Sequence, residues 1–230
     1  MSSCTDGRDS YRYERKFLVS RHLQPRLADV ILSAPQGFRE IYHGRVVNNV
    51  YFDTPGFRFF QENRQGYPYR EKVRVRWYGE DGIQSPRLEL KHRNGLVGTK
   101  DVLPLHEAKA LWEPRSFDLL AQEAPEIREM VPQLVQPVLY NRYYRKYYLS
   151  GDGLFRVTVD TRLCYEHPRE LRKGCGPLGQ GNPLADSVVE LKYAGEHDSE
   201  ADSISRFWPF RLAKKSKYVS GVCQLFSLPE

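Results

Sequence analysis

Charged and apolar residues alternate along several segments of the chain. In KVRVRW (72–77) every second residue is a cation, and the residues between are apolar. Because successive side chains of a strand point to opposite faces, this pattern predicts a β-strand with one charged and one apolar face. Five segments share it. Their charged or polar positions are Arg12, Glu14 and Lys16; Lys72, Arg74 and Arg76; Arg87, Glu89 and Lys91; Arg156, Thr158, Asp160 and Arg162; and Glu190 and Lys192.

Turn residues divide the chain into short strands and helices. The helical region at 106–133 is interrupted by Pro114, Pro125 and Pro132, and a Gly- and Pro-rich loop covers 173–183. Other helices are predicted at 21–34, 57–63, 199–207 and 216–226. Strands are predicted at 11–19, 38–53, 69–78, 87–93, 98–105, 138–149, 155–165 and 187–193.

The charged face of these strands is unusual in its composition. An ordinary antiparallel sheet turns its polar face to water and mixes Ser, Thr, Gln and Asn into it. Here that face is almost entirely Arg, Lys and Glu. Since roughly eight strands close a barrel that holds a small ligand, we predict an α+β fold. Its centre is a closed antiparallel eight-stranded β-barrel, a tunnel with a polar basic bore, covered by short helices.

We expect one domain, spanning 11–226, after a disordered N-terminal tail at 1–10 (MSSCTDGRDS). The four cysteines include no C-x-x-C pair, so the sequence suggests neither a zinc site nor a disulfide framework. No apolar stretch approaches the length of about 18 residues that a membrane span needs. We therefore expect a cytoplasmic protein, for which any membrane role would need a separate subunit.

The charge balance favours an anionic partner. The chain has 35 Lys and Arg against 29 Asp and Glu, a net charge of +6. A bore crowded with cations requires an anion of high charge density, and Arg and Lys suit the oxygens of polyphosphate or a triphosphate. Carboxylates among the cations suggest Mg²⁺ or Mn²⁺, which bridge carboxylates to phosphates. Nucleic acid is not the expected partner, because only charge and the aromatics of YNRYYRKYY favour it.

Ordered motifs add a family resemblance that extends from 13 to about 222. The chain resembles the triphosphate tunnel metalloenzymes (the CYTH superfamily), and within them the catalytic domain of the VTC polyphosphate polymerases. The motifs are YERKFLV (13–19), NNVYFDTPGFRFF (48–60), KVRVRWYG (72–79), LELKHRNGLVGTKDVLPL (88–105), YNRYYRKYYL (140–149), FRVTVDT (155–161), VVELKY (188–193) and KKSKYVSGV (214–222).

The resemblance implies roles for individual residues. Glu190 would bind the metal, with Glu14 as a second ligand or as the partner of a neighbouring Arg. Asp160 would orient an Arg or a metal-bound water. Where the superfamily has Glu-x-Glu-x-Lys on its first strand, this chain has Arg12-Tyr13-Glu14-Arg15-Lys16, which favours the VTC branch over the triphosphatases. The implied catalytic residues are Arg74, Arg76, Lys91, Arg142, Arg156 and Lys217, and the implied substrate-binding residues are Lys16, Lys100, Tyr140 and Lys192.

The function expected from this resemblance is metal-dependent phosphoryl transfer by a polyphosphate polymerase that uses ATP. Two alternatives share the same bore. One is a tunnel triphosphatase that hydrolyses tripolyphosphate or an organic triphosphate. The other is a polyphosphate-binding module without catalysis.

Overall fold

Nine antiparallel strands form a single sheet in the computed structural model, which describes residues 12–95, 97–108, 110–173, 178 and 187–229. The predicted tail at 1–10 and most of the predicted loop at 173–183 lie outside these residues. The strand order is β5-β4-β3-β2-β6-β7-β8-β1-β9. The strands are β1 (Arg12–Val19), β2 (Arg39–Asp53), β3 (Tyr69–Tyr78), β4 (Arg87–Asn94), β5 (Val97–Pro104), β6 (Gln136–Leu149), β7 (Arg156–Glu166), β8 (Ser187–Ala194) and β9 (Arg211–Leu212).

Short helices connect the strands. In the described part of the chain no helix is long and apolar enough to cross a membrane. Less helix forms than predicted in two regions, 21–34 and 106–133. Both contain prolines, which interrupt or end a helix. Pro25 lies in a 3₁₀ turn, Gln24–Arg26, before a short α1, and prolines bound α4 on both sides. The helices are α1 (Leu27–Leu32), α2 (Arg58–Gln65), α3 (Ser116–Glu123), α4 (Glu126–Met130), α5 (Asp198–Phe207) and α6 (Lys217–Phe226).

The apolar face of the sheet lies outside and is covered by these helices. On β3, Val73, Val75 and Trp77 are fully buried in a core that includes side chains of α2, α3, α4 and α6. A second core packs α1 and α5 against β1, β7 and β8. Charged residues of β1, β3, β4 and β8, among them Lys16, Arg74, Lys91 and Glu190, line a cavity on the opposite, concave side. The predicted inward orientation is therefore confirmed for these strands, whereas Arg156 and Arg162 of β7 are exposed.

The predicted closure into an eight-stranded barrel is not confirmed. β5 and β9 are the edges of the sheet, and no hydrogen bond between strands joins them in the described residues. The sheet is nevertheless strongly curved: its curvature brings Cα atoms of β1 and β5 within 8 Å of each other. At Phe17 and Leu18, β1 pairs with β9. This two-residue strand, too short to leave a periodic signal, occupies part of the edge of β1 that a closed barrel would offer to β5.

Asp53, at the end of β2, ties three elements together. Its carboxylate accepts hydrogen bonds from the backbone N–H groups of Thr54 at 2.7 Å, Phe59 at 2.9 Å and Phe60 at 2.8 Å. It also accepts one from the hydroxyl of Tyr218 in α6. The carboxylate thereby satisfies N–H groups at the start of α2 that no helical carbonyl can reach. One buried side chain thus fixes α2 and α6 to the sheet.

We expect Asp53→Ala to lower the free energy of unfolding by about 3 kcal/mol, because several buried donors lose a charged acceptor. Tyr218→Phe removes only one of these bonds, so its loss should be about 1 kcal/mol. Urea unfolding of both variants measures the difference. Equal stability of Asp53→Ala and the unsubstituted protein would contradict the assignment of Asp53 as a structural hub.

Candidate functional site

A cavity of about 470 Å³ lies on the concave side of the sheet. The cavity is lined by side chains of β1, β2, β3, β4, β5, β6 and β8, by Asn63 of α2 and by the first turn of α6. Alternation brings every second residue of a strand to this side, so distant parts of the sequence meet here. Nine residues singled out from the sequence line the cavity: Lys16, Arg74, Arg76, Lys91, Lys100, Lys192, Lys217, Glu14 and Glu190.

Three others are not among the lining residues. Tyr140 is buried on the outer side of β6, where it stacks on Trp77 with ring centroids 6.0 Å apart. Arg142 shares the parity of Tyr140 along the strand and lies opposite Cys164 of β7. Arg156, at the first position of β7, is exposed to solvent. The resemblance selected Tyr140 and Arg142 by motif, whereas alternation along β6 brings other side chains to the cavity. Alternation had also placed Arg156 on the charged face, but among the described residues the lining includes none from β7.

The side chains that β6 does contribute are Tyr143 and Arg145. Both belong to the YNRYYRKYYL run, where they are two residues apart and so lie on the same face of the strand. Lys72 of β3 and Tyr51 of β2 also line the cavity without having been singled out as site residues. The alternation of KVRVRW already placed Lys72 on the charged face. Arg145 was harder to predict as a site residue, because only the pairing of β6 with β7 shows that it lies opposite Asp160.

One group of cations is held by Glu89 of β4. Nε and one terminal nitrogen of Arg74 approach Glu89 Oε2 at 2.8 and 2.5 Å. Arg76 and Lys100 reach the same carboxylate at 3.8 and 3.5 Å. Burial by itself would raise the pKa of Glu89, but these cations, Arg74 foremost, hold it well below its usual range. Glu89 is therefore ionised and fixes the Arg74 guanidinium beside the cavity.

A second group surrounds Asp160 of β7 and Glu190 of β8. The guanidinium of Arg145 binds both oxygens of Asp160, at 2.5 and 2.6 Å. Lys217 Nζ lies 2.6 Å from Asp160 and 3.0 Å from Glu190. Burial opposes charge on these groups, yet the neighbouring cations lower the pKa of both carboxyls, and the carboxylates raise that of Lys217. All of them are charged, so this part of the site is a buried ion network.

Lys72 and Lys91 have the opposite environment. Lys72 Nζ donates to Ser216 Oγ at 3.0 Å. Burial, together with Lys16 and the neighbouring Arg70 and Arg74, lowers the pKa of Lys72 to about 7. Arg74 and burial lower that of Lys91 as well. The cavity therefore has more positive charge than its carboxylates offset, which is the electrostatic condition for binding an anion.

The carboxylates do not form a metal site by themselves. No group of three or more His, Cys, Asp or Glu side chains lies together in the described residues. Glu14 is 3.6 Å from Lys16, and Glu190 faces Lys217 and Lys192. A divalent cation prefers several oxygen ligands, and here the available oxygens already contact ammonium and guanidinium groups. The donor set predicted from the sequence thus does not fit a metal held by the protein alone.

Comparisons of the sequence and of the fold with known proteins show what this chain is similar to. A sequence model of the VTC domain matches residues 11–226. A protein from Bacillus halodurans named as a candidate adenylate cyclase aligns with a TM-score of 0.53 at 18% identity, covering 94% of this chain and 97% of its own. The PH1819 protein from Pyrococcus horikoshii OT3 aligns with a TM-score of 0.51 at 13% identity, covering 93% and 97%. At these identities the likeness establishes the fold. No curated protein matches the chain.

We expect anion binding to be coupled to proton uptake, with Lys72 as one of the groups that take up a proton. Above pH 7 the free protein holds Lys72 largely neutral; a bound phosphate chain raises its pKa, so binding adds a proton. Affinity for tripolyphosphate should therefore fall as pH rises through 7. Calorimetric titration at pH 8 in two buffers of different ionisation enthalpy measures the uptake.

Lys72→Met should reduce the proton uptake at pH 8. The matched control is Lys146→Met, a half-exposed lysine paired with Glu40 at 3.2 Å, which should leave the uptake unchanged. Equal uptake by the unsubstituted protein and Lys72→Met would exclude Lys72 as a titrating group.

Proposed function

The chain belongs to the VTC domain family, and we propose that it is a polyphosphate polymerase that transfers phosphoryl groups from ATP within its cationic cavity. Family membership supports triphosphate-related phosphoryl transfer; the polymerase activity is our proposal. The observation that carries it is the charge of the cavity. Among the described residues, eleven basic side chains line the cavity against two carboxylates. The basic residues are Lys16, Arg70, Lys72, Arg74, Arg76, Lys91, Arg93, Lys100, Arg145, Lys192 and Lys217, and the carboxylates are Glu14 and Glu190.

Such a lining suits a linear phosphate chain. Each phosphate offers oxygens that a guanidinium binds in pairs and that an ammonium binds as a point charge. Arg74 is held in place by Glu89, so its orientation is set before a ligand binds. A preorganised donor stabilises developing charge without reorganising during the reaction. The cavity can therefore bind the chain and lower the barrier with the same side chains.

The proposed reaction needs little covalent chemistry from the protein. An oxygen of the acceptor, a phosphate or a growing chain, attacks the γ-phosphorus of ATP. The bond from the γ-phosphorus to the bridging oxygen breaks, and ADP leaves with that electron pair. The acceptor oxygen is already ionised, so no general base is required. Positioning and charge stabilisation are the main demands of phosphoryl transfer, and Arg74, Arg76 and Lys91 are the residues that we propose for them.

A direct test supplies the protein with ATP and Mn²⁺ or Mg²⁺ and separates the products on a gel. A ladder of lengthening phosphate chains supports the polymerase. Release of orthophosphate without chain growth would replace it with the triphosphatase alternative. Tight polyphosphate binding with neither product would leave a binding module, and absence of binding would refute the cavity as a phosphate site.

We expect Arg76→Gln to lower the rate of chain synthesis by roughly 10²–10³-fold, by analogy with the loss of one preorganised donor. In the free protein the Arg76 guanidinium is held by Asn49 at 2.8 Å and by Tyr143 at 3.2 Å, and so has a defined position. Arg64→Gln, at an exposed arginine in the last turn of α2, is the matched control. A rate of Arg76→Gln within about twofold of the control would argue against a role for Arg76 in stabilising the transition state.

A further inference from the structure

Lys217 occupies an uncommon position, between two buried carboxylates. Its Nζ lies 2.6 Å from Asp160 Oδ2 and 3.0 Å from Glu190 Oε1. The side chain of Asp160 is fully buried and that of Glu190 is 8% exposed. Two carboxylates this close would repel each other strongly in a low-dielectric interior unless a cation lay between them. A single ammonium group bridges them here.

The remaining oxygens of the two carboxylates also face donors. Arg145 binds both oxygens of Asp160. Glu190 Oε2 lies 3.3 Å from Lys192 Nζ and 3.6 Å from the Arg145 guanidinium. Three cations thus surround two carboxylates. A divalent ion added to this group would bring the positive charge to five against two, with no free carboxylate oxygen to bind it.

The backbone holds Lys217 in this place. Lys217 is the first residue of α6, directly after the N-cap residue Ser216, whose Oγ accepts from the backbone N–H of Val219 at 3.3 Å. Lys72 donates to the same hydroxyl at 3.0 Å. The ammonium also lies 5.2 Å from the centre of the Tyr143 ring, a distance at which the aromatic face attracts a cation. The position of the ammonium is therefore set by a helix terminus and its surroundings.

We propose that the Lys217 ammonium takes the place that a divalent cation would occupy between Asp160 and Glu190. The free protein then binds no Mn²⁺ or Mg²⁺ at this position, because its own side chain neutralises the carboxylates. Removal of the ammonium frees Glu190 Oε1 and opens a gap between the two buried carboxylates, while Arg145 stays paired with Asp160. Carboxylate oxygens beside such a gap suit a divalent ion. If the proposed function is correct, a metal ion enters the cavity bound to the phosphate chain and not ahead of it.

The experiment titrates Mn²⁺ into the full chain without nucleotide and follows the free ion by electron paramagnetic resonance. We expect no saturable binding to the unsubstituted protein and a site of one ion in Lys217→Ala, with at least tenfold higher affinity. Adding Glu190→Gln to Lys217→Ala should abolish the gained site. Lys146→Ala, at a half-exposed lysine, is the control and should behave as the unsubstituted protein.

Two results would overturn the proposal. One is saturable Mn²⁺ binding by the unsubstituted protein that Glu190→Gln removes, since Lys217 would then not exclude the ion. The other is a Lys217→Ala protein that is folded and binds no Mn²⁺. If Lys217→Ala does not fold, Lys217→Met keeps the aliphatic stem, and thermal unfolding with and without Mn²⁺ gives the same distinction. The titration needs no ATP, so its outcome is separate from the success or failure of the polymerase assay.

Discussion

The pairing of buried cations with a few buried carboxylates is the interaction on which this structure depends. Guanidinium and ammonium groups that leave water lose a large hydration free energy, and an unpaired charge in the interior would be strongly destabilising. Glu89 holds Arg74 and Arg76, and Asp160 holds Arg145 and Lys217. These carboxylates offset part of the positive charge and fix its geometry. Lys72 and Lys91, whose pKa values burial and the neighbouring cations lower, are the groups that a bound anion would stabilise in the charged form.

The same charges determine how the rest of the chain is arranged. With polar side chains on the concave side of the sheet, the apolar side faces outward, and Val73, Val75 and Trp77 must be shielded from water by another layer. Short helices from every part of the sequence provide that layer. A sheet of this kind has its hydrophobic core around the outside, between strands and helices, while its centre stays polar. The fold and the site are therefore two results of one alternation pattern.

Much of this arrangement could be predicted from the sequence because period-2 alternation is a local signal. The bounds of β3 and the inward face of Lys16, Arg74 and Glu190 followed from it. Three features could not be predicted in that way. The choice between Arg142 and Arg145 depends on which face of β6 turns inward, the open edge of the sheet depends on β9, and the partners of Glu190 come from α6. Each is set by a contact between segments far apart in the chain, where alternation gives no information.

Adjacent residues in the first turn of α6 have different roles, one in the cavity and one in the support of the fold. Lys217 belongs to the ion network of the cavity, whereas Tyr218 is anchored to Asp53 beneath the neighbouring helix. Because the two residues are adjacent in one helical turn, a substitution at Tyr218 that breaks its bond to Asp53 would also act on the backbone that positions Lys217. Loss of activity after a change at Tyr218 is thus no sign that its hydroxyl touches a substrate. Support of the fold and the placement of a cavity cation therefore depend on the same turn of α6.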